Sequence, residues 1–314
     1  TLSLHDALPI WVNPEYVQQL PLHNVEYVQF YKPNFKVWLG AFKKLKELII
    51  ISWPYRSTLT KDCIECIARI QIQNLDISCD IDHLEIDKFQ ATQIRLRGYV
   101  DFRNSSLKCN DKLKSLVIDR FVEYIPAASI GLAKLQLSES SMLTRAHFLN
   151  SCRYKNLKVL IIGANIEDED LVHLPDLRVF SVTYSNFTRK GIEYLSKSKI
   201  QALSIYKNLR LKDEDIISLA RSEIKCLRII DCPKITERCM ETINLLKLSI
   251  LQMSSLNYGT DKKMHHELKE YTSRCPALKL INDNLEHSID PEHKDFINLH
   301  NDYLYWTDCD VDID

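Results

Sequence analysis

The amino-acid sequence predicts an α/β solenoid in which a short strand and a short helix alternate along the chain and stack, repeat on repeat. Two observations predict this fold. Apolar residues recur in the order apolar-x-x-apolar-x-apolar, and the recurrences begin 19 to 29 residues apart. A second apolar pattern, with the spacing of a helix, follows many of these segments. Self-similarity with a period of 20 to 50 residues is typical of repeat architectures.

The first pattern predicts one strand in each repeat. Counted from the first apolar residue, positions four and six share one face of the strand, and positions five and seven share the other. We expect positions four and six to face the core. The clearest examples, each written as positions one, four and six, are Leu45-Leu48-Ile50, Leu113-Leu116-Ile118, Leu157-Leu160-Ile162, Ile200-Leu203-Ile205 and Ile224-Leu227-Ile229.

The second pattern predicts a helix of two to three turns after the strand. An apolar residue is followed by a polar residue, often Thr, and then by apolar residues five and eight positions beyond the first. Leu59-Thr60 followed by Ile64 and Ile67 is one example. Such spacing lines one side of a helix. Thr60, Thr144, Thr188 and Thr236 stand where an N-cap hydroxyl would accept from free helix amides.

One segment of the sequence indicates which type of repeat this is. Leu227–Thr236, which reads LRIIDCPKIT, resembles the cysteine-containing leucine-rich repeat of F-box/LRR proteins. The resemblance covers residues 25–281 and is strongest over 132–245. It implies a leucine-rich-repeat horseshoe with a concave parallel β-sheet and short convex helices. It also implies a structural ladder of side chains at position nine, which bond the backbone where each strand turns outward. Here the ladder residues are Ser140, Asn165, Ser185, Asn208 and Cys232.

Three regions are expected along the chain. Residues 1–10, TLSLHDALPI, resemble a translated sequencing adapter and are expected to be an artefactual segment. Residues 11–281 form the repeat array, which we expect to be truncated at its N-terminus. Residues 282–314 hold ten acidic residues against one Lys, a net charge of −9, and are expected to form a C-terminal cap and an acidic tail.

Composition excludes several classes of protein. The six glycines are never closer than 28 positions, so the glycine-rich motifs of dinucleotide-binding, P-loop and nucleophile-elbow enzymes cannot occur. No apolar run is long enough to span a membrane. The formal net charge of −1 gives no reason to expect nucleic acid or an anionic membrane as a partner. Ten cysteines that follow the repeat are expected to be reduced thiols.

The sequence contains only weak indications of a metal-binding or catalytic site. Cys63 and Cys66 form a single CxxC inside a predicted helix, whereas a structural zinc site needs four ligands. A loose group of histidines and acids between His265 and His300 has irregular spacing. We therefore expect no metal, no cofactor and no catalytic residues, and we expect that the chain is not an enzyme.

The candidate partner-binding residues lie on the concave face of the predicted sheet, at positions five, seven and eight. Arg and Tyr are enriched in the hot spots of protein interfaces. Asp76 and Asp119 are expected on the same face. The candidates form two groups, which are Arg95, Arg97 and Arg120 in one and Tyr184, Tyr206, Lys207 and Arg228 in the other.

The resemblance implies substrate recognition in an F-box type cullin-RING ubiquitin ligase. The array would bind a target protein on its concave face, and a ligase adaptor would bind only if an F-box lies upstream. The alternative is a leucine-rich-repeat scaffold or adaptor that has no F-box. Either protein would be expected in the cytoplasm or the nucleus.

Overall fold

The structure, a computed structural model, describes residues 25–30, 43–51, 58–81, 86–99, 111–119, 131–137, 143–236, 238–243, 245–246, 248–254 and 279–281. The chain divides into two compact units, Thr1–Leu157 and Lys158–Asp314. The expected adapter segment at 1–10 and the expected cap and tail at 282–314 lie outside the described residues.

The described part of the first unit contains six short strands and three helices. Its strands are β1 Tyr27–Phe30, β2 Glu47–Ile50, β3 Asn74–Ile77, β4 Gln93–Leu96, β5 Ser115–Ile118 and β6 Lys134–Leu137. Its helices are α1 Lys61–Ala68, the 3₁₀ helix η1 Ile86–Lys88 and α2 Arg145–Ser151. Consecutive strands pair in parallel, from β1 through β6.

The second unit repeats the same alternation. Its strands are β7 Val159–Ile162, β8 Val179–Thr183, β9 Ala202–Tyr206, β10 Cys226–Ile230, β11 Ile250–Ser254 and β12 Lys279–Ile281. Its helices are α3 Arg189–Ser196, α4 Cys239–Ile243 and the 3₁₀ helices η2 Asp168–His173 and η3 Asp213–Arg221. Consecutive strands again pair in parallel, from β7 through β12. The α/β class and the parallel sheet are therefore confirmed in both units.

The repeat numbering holds in the strand registers, because equal positions pair across neighbouring strands. Leu203 pairs with Leu227, and Leu227 pairs with Leu251, all of them at position four. From Leu48 to Met253, every described residue at positions four and six is at most 2% exposed. Each such apolar side chain contributes about 1.5–3 kcal/mol when fully buried. The predicted core positions are confirmed.

The opposite face of the strands, at positions three, five and seven, differs from the expectation. We name it the odd face. In the second unit its positions five and seven were expected on a concave face away from the core, yet most are buried, including Ser181, Thr183, Ser204, Ile230 and Gln252.

Position three of the odd face is buried as well. In four successive repeats it carries Val159, Val179, Ala202 and Cys226, which form a buried apolar cluster with Ile161. Strands that are apolar on both faces are typical of parallel sheets covered on both sides. The odd face of the second unit is therefore mostly a packed layer and not an open binding surface.

The predicted N-cap threonines cap their helices in two ways. The Thr60 side chain accepts from the Cys63 N–H of α1 at 3.4 Å, as predicted. Thr236 Oγ1 also accepts from a backbone N–H, that of Arg238 at 3.3 Å. Thr188 and Thr236 in addition donate their hydroxyls to acids of the preceding repeat. Thr188 Oγ1 lies 2.7 Å from Asp168 Oδ2, and Thr236 Oγ1 lies 2.6 Å from Asp213 Oδ2. The caps of the second unit thus join neighbouring repeats.

Two further properties bear on the sequence-based expectations. Seven cysteines lie within the described ranges and all seven are free thiols, five of them buried and two, Cys66 and Cys152, half-buried. Among the helices that the structure describes, none combines the length and the apolar character needed to cross a bilayer.

Candidate protein-interaction surface

The centre of the predicted ladder is a network around Asn208, which is fully buried. Its Oδ1 accepts from the backbone N–H groups of Arg210 at 2.8 Å and Leu211 at 2.9 Å. Its Nδ2 donates to Ser185 Oγ and to the Phe187 carbonyl, both at 3.1 Å. Buried polar groups need such partners, so Asn208 stabilises the turn after β9 and links it to the preceding repeat.

Cys232 occupies the next ladder position and is also buried. Its Sγ lies 3.5 Å from the carbonyl oxygen of Ile230 and 3.9 Å from that of Ile205 in the preceding repeat. Burial raises the pKa of the Cys232 thiol to about 12. The thiol therefore stays protonated and can donate weakly to these carbonyls.

The earlier ladder positions behave differently. Asn165 is exposed, and its Oδ1 accepts from Asn186 Nδ2 at 2.8 Å, so its described contact is with a side chain and not with the backbone. Ser140 lies outside the described residues. Among the described ladder residues, Asn208 and Cys232 contact backbone groups, and Ser185 joins them by accepting from Asn208 Nδ2.

The two described members of the first candidate group, Arg95 on β4 and Arg97 directly after it, are paired with acids. Arg95 Nε is 2.7 Å from Asp119 Oδ2, and both side chains are about one-fifth exposed. Arg97 binds Asp76 through two atom pairs, Nε to Oδ1 at 3.0 Å and Nη2 to Oδ2 at 2.5 Å. Arg120 lies outside the described residues. The two described arginines are thus already paired with acids of the neighbouring repeats, which lowers their attraction for an acidic partner.

Lys134 adds a cation to this group that the sequence reasoning missed. It stands at position three of β6 and is half-buried. Burial, followed by the charge of Arg95, lowers the pKa of Lys134. Position three was not considered from the sequence, although it lies on the same face of the strand as position five.

The second candidate group lies where β8, β9 and β10 end. The ammonium of Lys207 is 4.9 Å from the centre of the Tyr184 ring and 4.6 Å from that of Tyr206. Lys207 Nζ also donates to Tyr184 Oη at 3.2 Å. Cations within about 6 Å of an aromatic ring face are attracted by its quadrupole. The structure therefore brings three of the four candidates of this group into one contact.

The fourth candidate, Arg228, stands at position five of β10. In the strand register it lies between Ser204 of β9 and Gln252 of β11, and it is partly exposed. It shares the odd face with Tyr206, which is at position seven of β9. Arg228 thus contributes a second positive charge to the face that carries the Tyr and Lys side chains.

Two pKa shifts describe the electrostatics of this group. Burial lowers the pKa of Lys207, but hydrogen bonds from its ammonium to Tyr184 and Tyr206 outweigh burial and raise the pKa overall. Burial also raises the pKa of Tyr206, and a hydrogen bond to Asp231 adds to the rise. At neutral pH the ammonium of Lys207 is therefore charged and the phenol of Tyr206 is protonated.

The backbone is strained at the same place in three successive repeats. Tyr184, Lys207 and Asp231, all at position eight, have φ of 63°, 54° and 53°. The left-handed region costs about 1–2 kcal/mol for a residue other than glycine. The N–H of Tyr184 donates to the Tyr206 carbonyl, and that of Lys207 donates to the Ile230 carbonyl, each at 3.0 Å. These bonds hold the turns in the strained conformation.

Three features of this surface were missed from the sequence. The three left-handed positions are Tyr184, Lys207 and Asp231 and none is a glycine, so the sequence did not reveal the left-handed conformation. Asp168 and Asp213 follow the same spacing in two repeats, each two residues beyond the apolar start of the helix pattern, and this recurrence could have revealed them. Leu209, two residues beyond Lys207, is 59% exposed although it is apolar.

The described residues contain no group of three or more His, Cys, Asp or Glu side chains placed to hold a metal ion. Cys63 and Cys66 lie on α1, and Cys63 Sγ accepts from Thr60 Oγ1 at 3.1 Å. The histidines between His265 and His300 lie outside the described residues. The candidate surface offers charged groups, hydrogen-bonding groups and aromatic rings. No protein-family model matches the chain, and no curated protein matches it either.

Proposed function

We propose that the chain is a leucine-rich-repeat module for protein interaction, and that it recognises the substrate of an F-box type cullin-RING ubiquitin ligase. In this proposal the array binds a target protein and catalyses no reaction itself. It needs no cofactor, and a ligase adaptor binds only where an F-box precedes the array. The free thiols support a reducing compartment, so the cytoplasm or the nucleus is where we expect it to act.

The observation that carries the binding part is the cluster of Tyr184, Tyr206, Lys207 and Arg228 on neighbouring strands of one unit. Tyr184 is 38% exposed and rests on a turn fixed by backbone hydrogen bonds. Aromatic and Arg side chains on rigid elements are the residue types that dominate interface energetics. A pre-ordered group of this kind loses little side-chain entropy when it binds.

The leucine-rich-repeat part is supported by the regular registers and by the backbone contacts of Asn208 and Cys232. The ubiquitin-ligase part depends on the resemblance of Leu227–Thr236 to the repeats of F-box/LRR proteins. Fold alone does not decide function, because one fold hosts many functions. The two parts therefore need separate experiments.

The binding part is tested with the full chain as bait in a cell extract, using chemical cross-linking and quantitative mass spectrometry. We expect Tyr184→Ala to lower recovery of the cross-linked partner at least tenfold. Lys190→Ala is the matched control, because Lys190 is an exposed residue on helix α3 that pairs with Glu169. Equal recovery with both variants would rule out this surface as the binding site.

The ligase part is tested by recovering the coding sequence upstream of Trp11. An F-box-like helical segment, together with co-purification of a cullin-RING adaptor with the longer protein, would support the ligase function. A start codon followed directly by repeats would favour the alternative, a scaffold without an F-box.

A further inference from the structure

The side chain of Lys207 is ordered before any partner arrives. Two ring faces, of Tyr184 and Tyr206, flank its ammonium, and hydrogen bonds to both tyrosines fix its position. An exposed lysine gains little from an ion pair, because it must give up rotamer freedom to form one. Lys207 has already given up that freedom within the folded chain. Its ammonium keeps hydrogen-bonding capacity for an acceptor from outside, since Lys has three donor hydrogens.

The backbone supports a binding role for the same residue. Lys207 has φ of 54°, between Tyr184 at 63° and Asp231 at 53°. Glycine would adopt this conformation without strain, yet all three turns carry side chains with polar groups. Strained residues that persist in a fold cluster at binding and catalytic sites. The strain places the three side chains together at the ends of adjacent strands.

The charges of the second unit point to an acidic partner. Along β7–β11 and the turn residues at position eight, the charged residues of the odd face are Lys207, Arg228 and Asp231. Asp231 accepts a hydrogen bond from Tyr206, which partly satisfies its carboxylate. The cluster therefore presents a net positive charge. Residues 1–281 also carry a net charge of +8, because the whole chain is at −1 and residues 282–314 are at −9.

Exposed apolar surface occurs in the same turn as Lys207 and on the neighbouring turn. Leu209, two residues beyond Lys207 in the same turn, is 59% exposed. The Tyr184 ring, on the neighbouring turn, is 38% exposed. Exposed apolar side chains next to an ordered charge are typical of interfaces that have an apolar centre and polar surroundings. A partner that offers a carboxylate together with an apolar side chain would satisfy both features.

We propose that Lys207, held between Tyr184 and Tyr206, binds a carboxylate of an acidic peptide segment in the partner protein, with Leu209 contacting an apolar side chain next to that carboxylate. The inference rests on the proposed function, and it names the chemistry of the partner at that site. The two described arginines of the first group serve this role less well, because Asp119 and Asp76 already neutralise them.

The test uses a labelled peptide with the sequence of residues 302–314, in which Cys309 is replaced by Ser. This peptide combines acidic and apolar residues, DYLYWTDSDVDID. Its affinity for the full chain is measured by fluorescence anisotropy and compared with that of a peptide in which every Asp is Asn. We expect the acidic peptide to bind at least tenfold more tightly at 50 mM NaCl. The difference should shrink at 300 mM NaCl, since salt screens exposed charges.

Variants of the full chain locate the effect. We expect Lys207→Met to remove the preference for the acidic peptide and Lys207→Arg to retain part of it, since Arg keeps the positive charge and is also attracted to aromatic ring faces. Lys199→Met is the matched control, because Lys199 is an exposed lysine of the same unit that pairs with Asp176. Circular dichroism melting verifies that each variant is folded. If Lys207→Met keeps the preference, the proposal is wrong.

A variant of the full chain in which Asp308, Asp310, Asp312 and Asp314 are replaced by Asn serves as a further control. It tests whether the chain's own acidic residues compete with the peptide for the site. Preferential binding of the acidic peptide to this variant, removed by adding Lys207→Met, supports the carboxylate site even where the unmodified chain binds weakly. Equal binding of both peptides to both chains overturns it. The proposed function fails separately, when Tyr184→Ala leaves recovery of the cross-linked protein partner unchanged.

Discussion

At the scale of single residues, two buried side chains hold the turns that follow β9 and β10. Asn208 makes four hydrogen bonds in a fully buried position, three of them to backbone groups. Asn165 has the equivalent position two repeats earlier but is exposed. Asn208 and Asn165 therefore have the same residue type and repeat position but different contacts. Substituting each in turn can show whether their contributions to stability differ.

We expect Asn208→Leu to lower the free energy of unfolding by about 1–3 kcal/mol, because two backbone N–H groups and a carbonyl lose their partner in a buried site. Asn165→Leu is the control and should change stability by less than about 0.5 kcal/mol. Urea denaturation followed by circular dichroism measures both. Equal losses for the two variants would mean that Asn208 does not hold the turn.

The Cys232 thiol should make the free energy of unfolding depend on pH in the alkaline range. Its pKa is about 12 in the folded chain, against an ordinary value of 9.0. Below pH 9 the thiol makes its full contribution to the free energy of unfolding, because it is protonated in both the folded and the unfolded chain. This contribution is lost as the pH rises from 9 towards 12, because only the unfolded state releases the proton.

Between pH 8 and pH 10 this linkage should lower the free energy of unfolding by about 1.4 kcal/mol. Cys232→Ser removes the ionising group, so the wild type should lose that much more stability than the variant over the same range. Chemical denaturation at the two pH values measures the difference. Parallel losses in both proteins would show that Cys232 is not the titrating group.

At the scale of secondary-structure elements, carboxylates from one repeat cap the helix of the next. Asp168 accepts from the Thr188 N–H at 2.7 Å, from the Thr188 hydroxyl at 2.7 Å and from the Gly191 N–H of α3 at 2.8 Å. Asp213 accepts from the N–H of Thr236 at 2.7 Å and from its hydroxyl. Helix amides without an intrahelical partner need such acceptors.

A double-mutant cycle between Asp168→Asn and Thr188→Val should give a coupling energy of about 1 kcal/mol, since the two side chains are hydrogen-bonded. The control cycle pairs Asp168→Asn with Thr236→Val, which share no hydrogen bond, and should give a coupling near zero. Thermal or urea unfolding provides the four free energies for each cycle. Similar coupling in both cycles would argue against a direct cap.

Gly191 belongs to the same cap and leaves no space for a side chain. A Cβ atom there would lie 2.6 Å from the Phe187 Cβ and 2.7 Å from Asp168 Oδ1. Alanine normally stabilises a helix by about 1 kcal/mol relative to glycine. We expect the opposite sign for Gly191→Ala, a loss of about 1–3 kcal/mol from overpacking and a displaced cap.

Ser196→Ala, at the end of the same helix and only partly buried, is the control and should change stability by less than about 0.5 kcal/mol. Urea unfolding measures both variants. A stabilising Gly191→Ala would mean that Asp168 does not approach α3 as closely as the structure places it.

At the scale of the whole molecule, we expect deletion of residues 1–10 and deletion of residues 1–30 to have different effects on the melting temperature. Removing Thr1–Ile10 should leave the melting temperature unchanged, because a segment derived from an adapter has no evolved contacts. Removing residues 1–30 also removes β1, which pairs with β2 over four residues, and should lower the melting temperature by several degrees. Calorimetry measures both. A loss of several degrees on deleting Thr1–Ile10 alone would contradict the artefact hypothesis.

The sequence by itself determined the strands, most of the helices and the main core. A strand shows itself through side chains that alternate between two faces, and a helix through a period of 3.6 residues, so both can be read over a few neighbouring residues. Leu203 and Ile205 of β9, or Ile192 and Leu195 of α3, were predictable for this reason, and all four are buried.

Only the tertiary structure decided the state of the candidate surface. Arg95 pairs with Asp119 and Arg97 with Asp76, in each case across more than 20 residues of chain. The Lys207 ammonium meets a Tyr184 ring that lies 23 positions away, and Val159 and Val179 pack on the odd face as neighbours in different repeats. These contacts form between repeats, where a pattern within one repeat carries no information about which side chains meet. Which charges are neutralised and which stay available therefore follows from the stacking of the repeats and not from local periodicity.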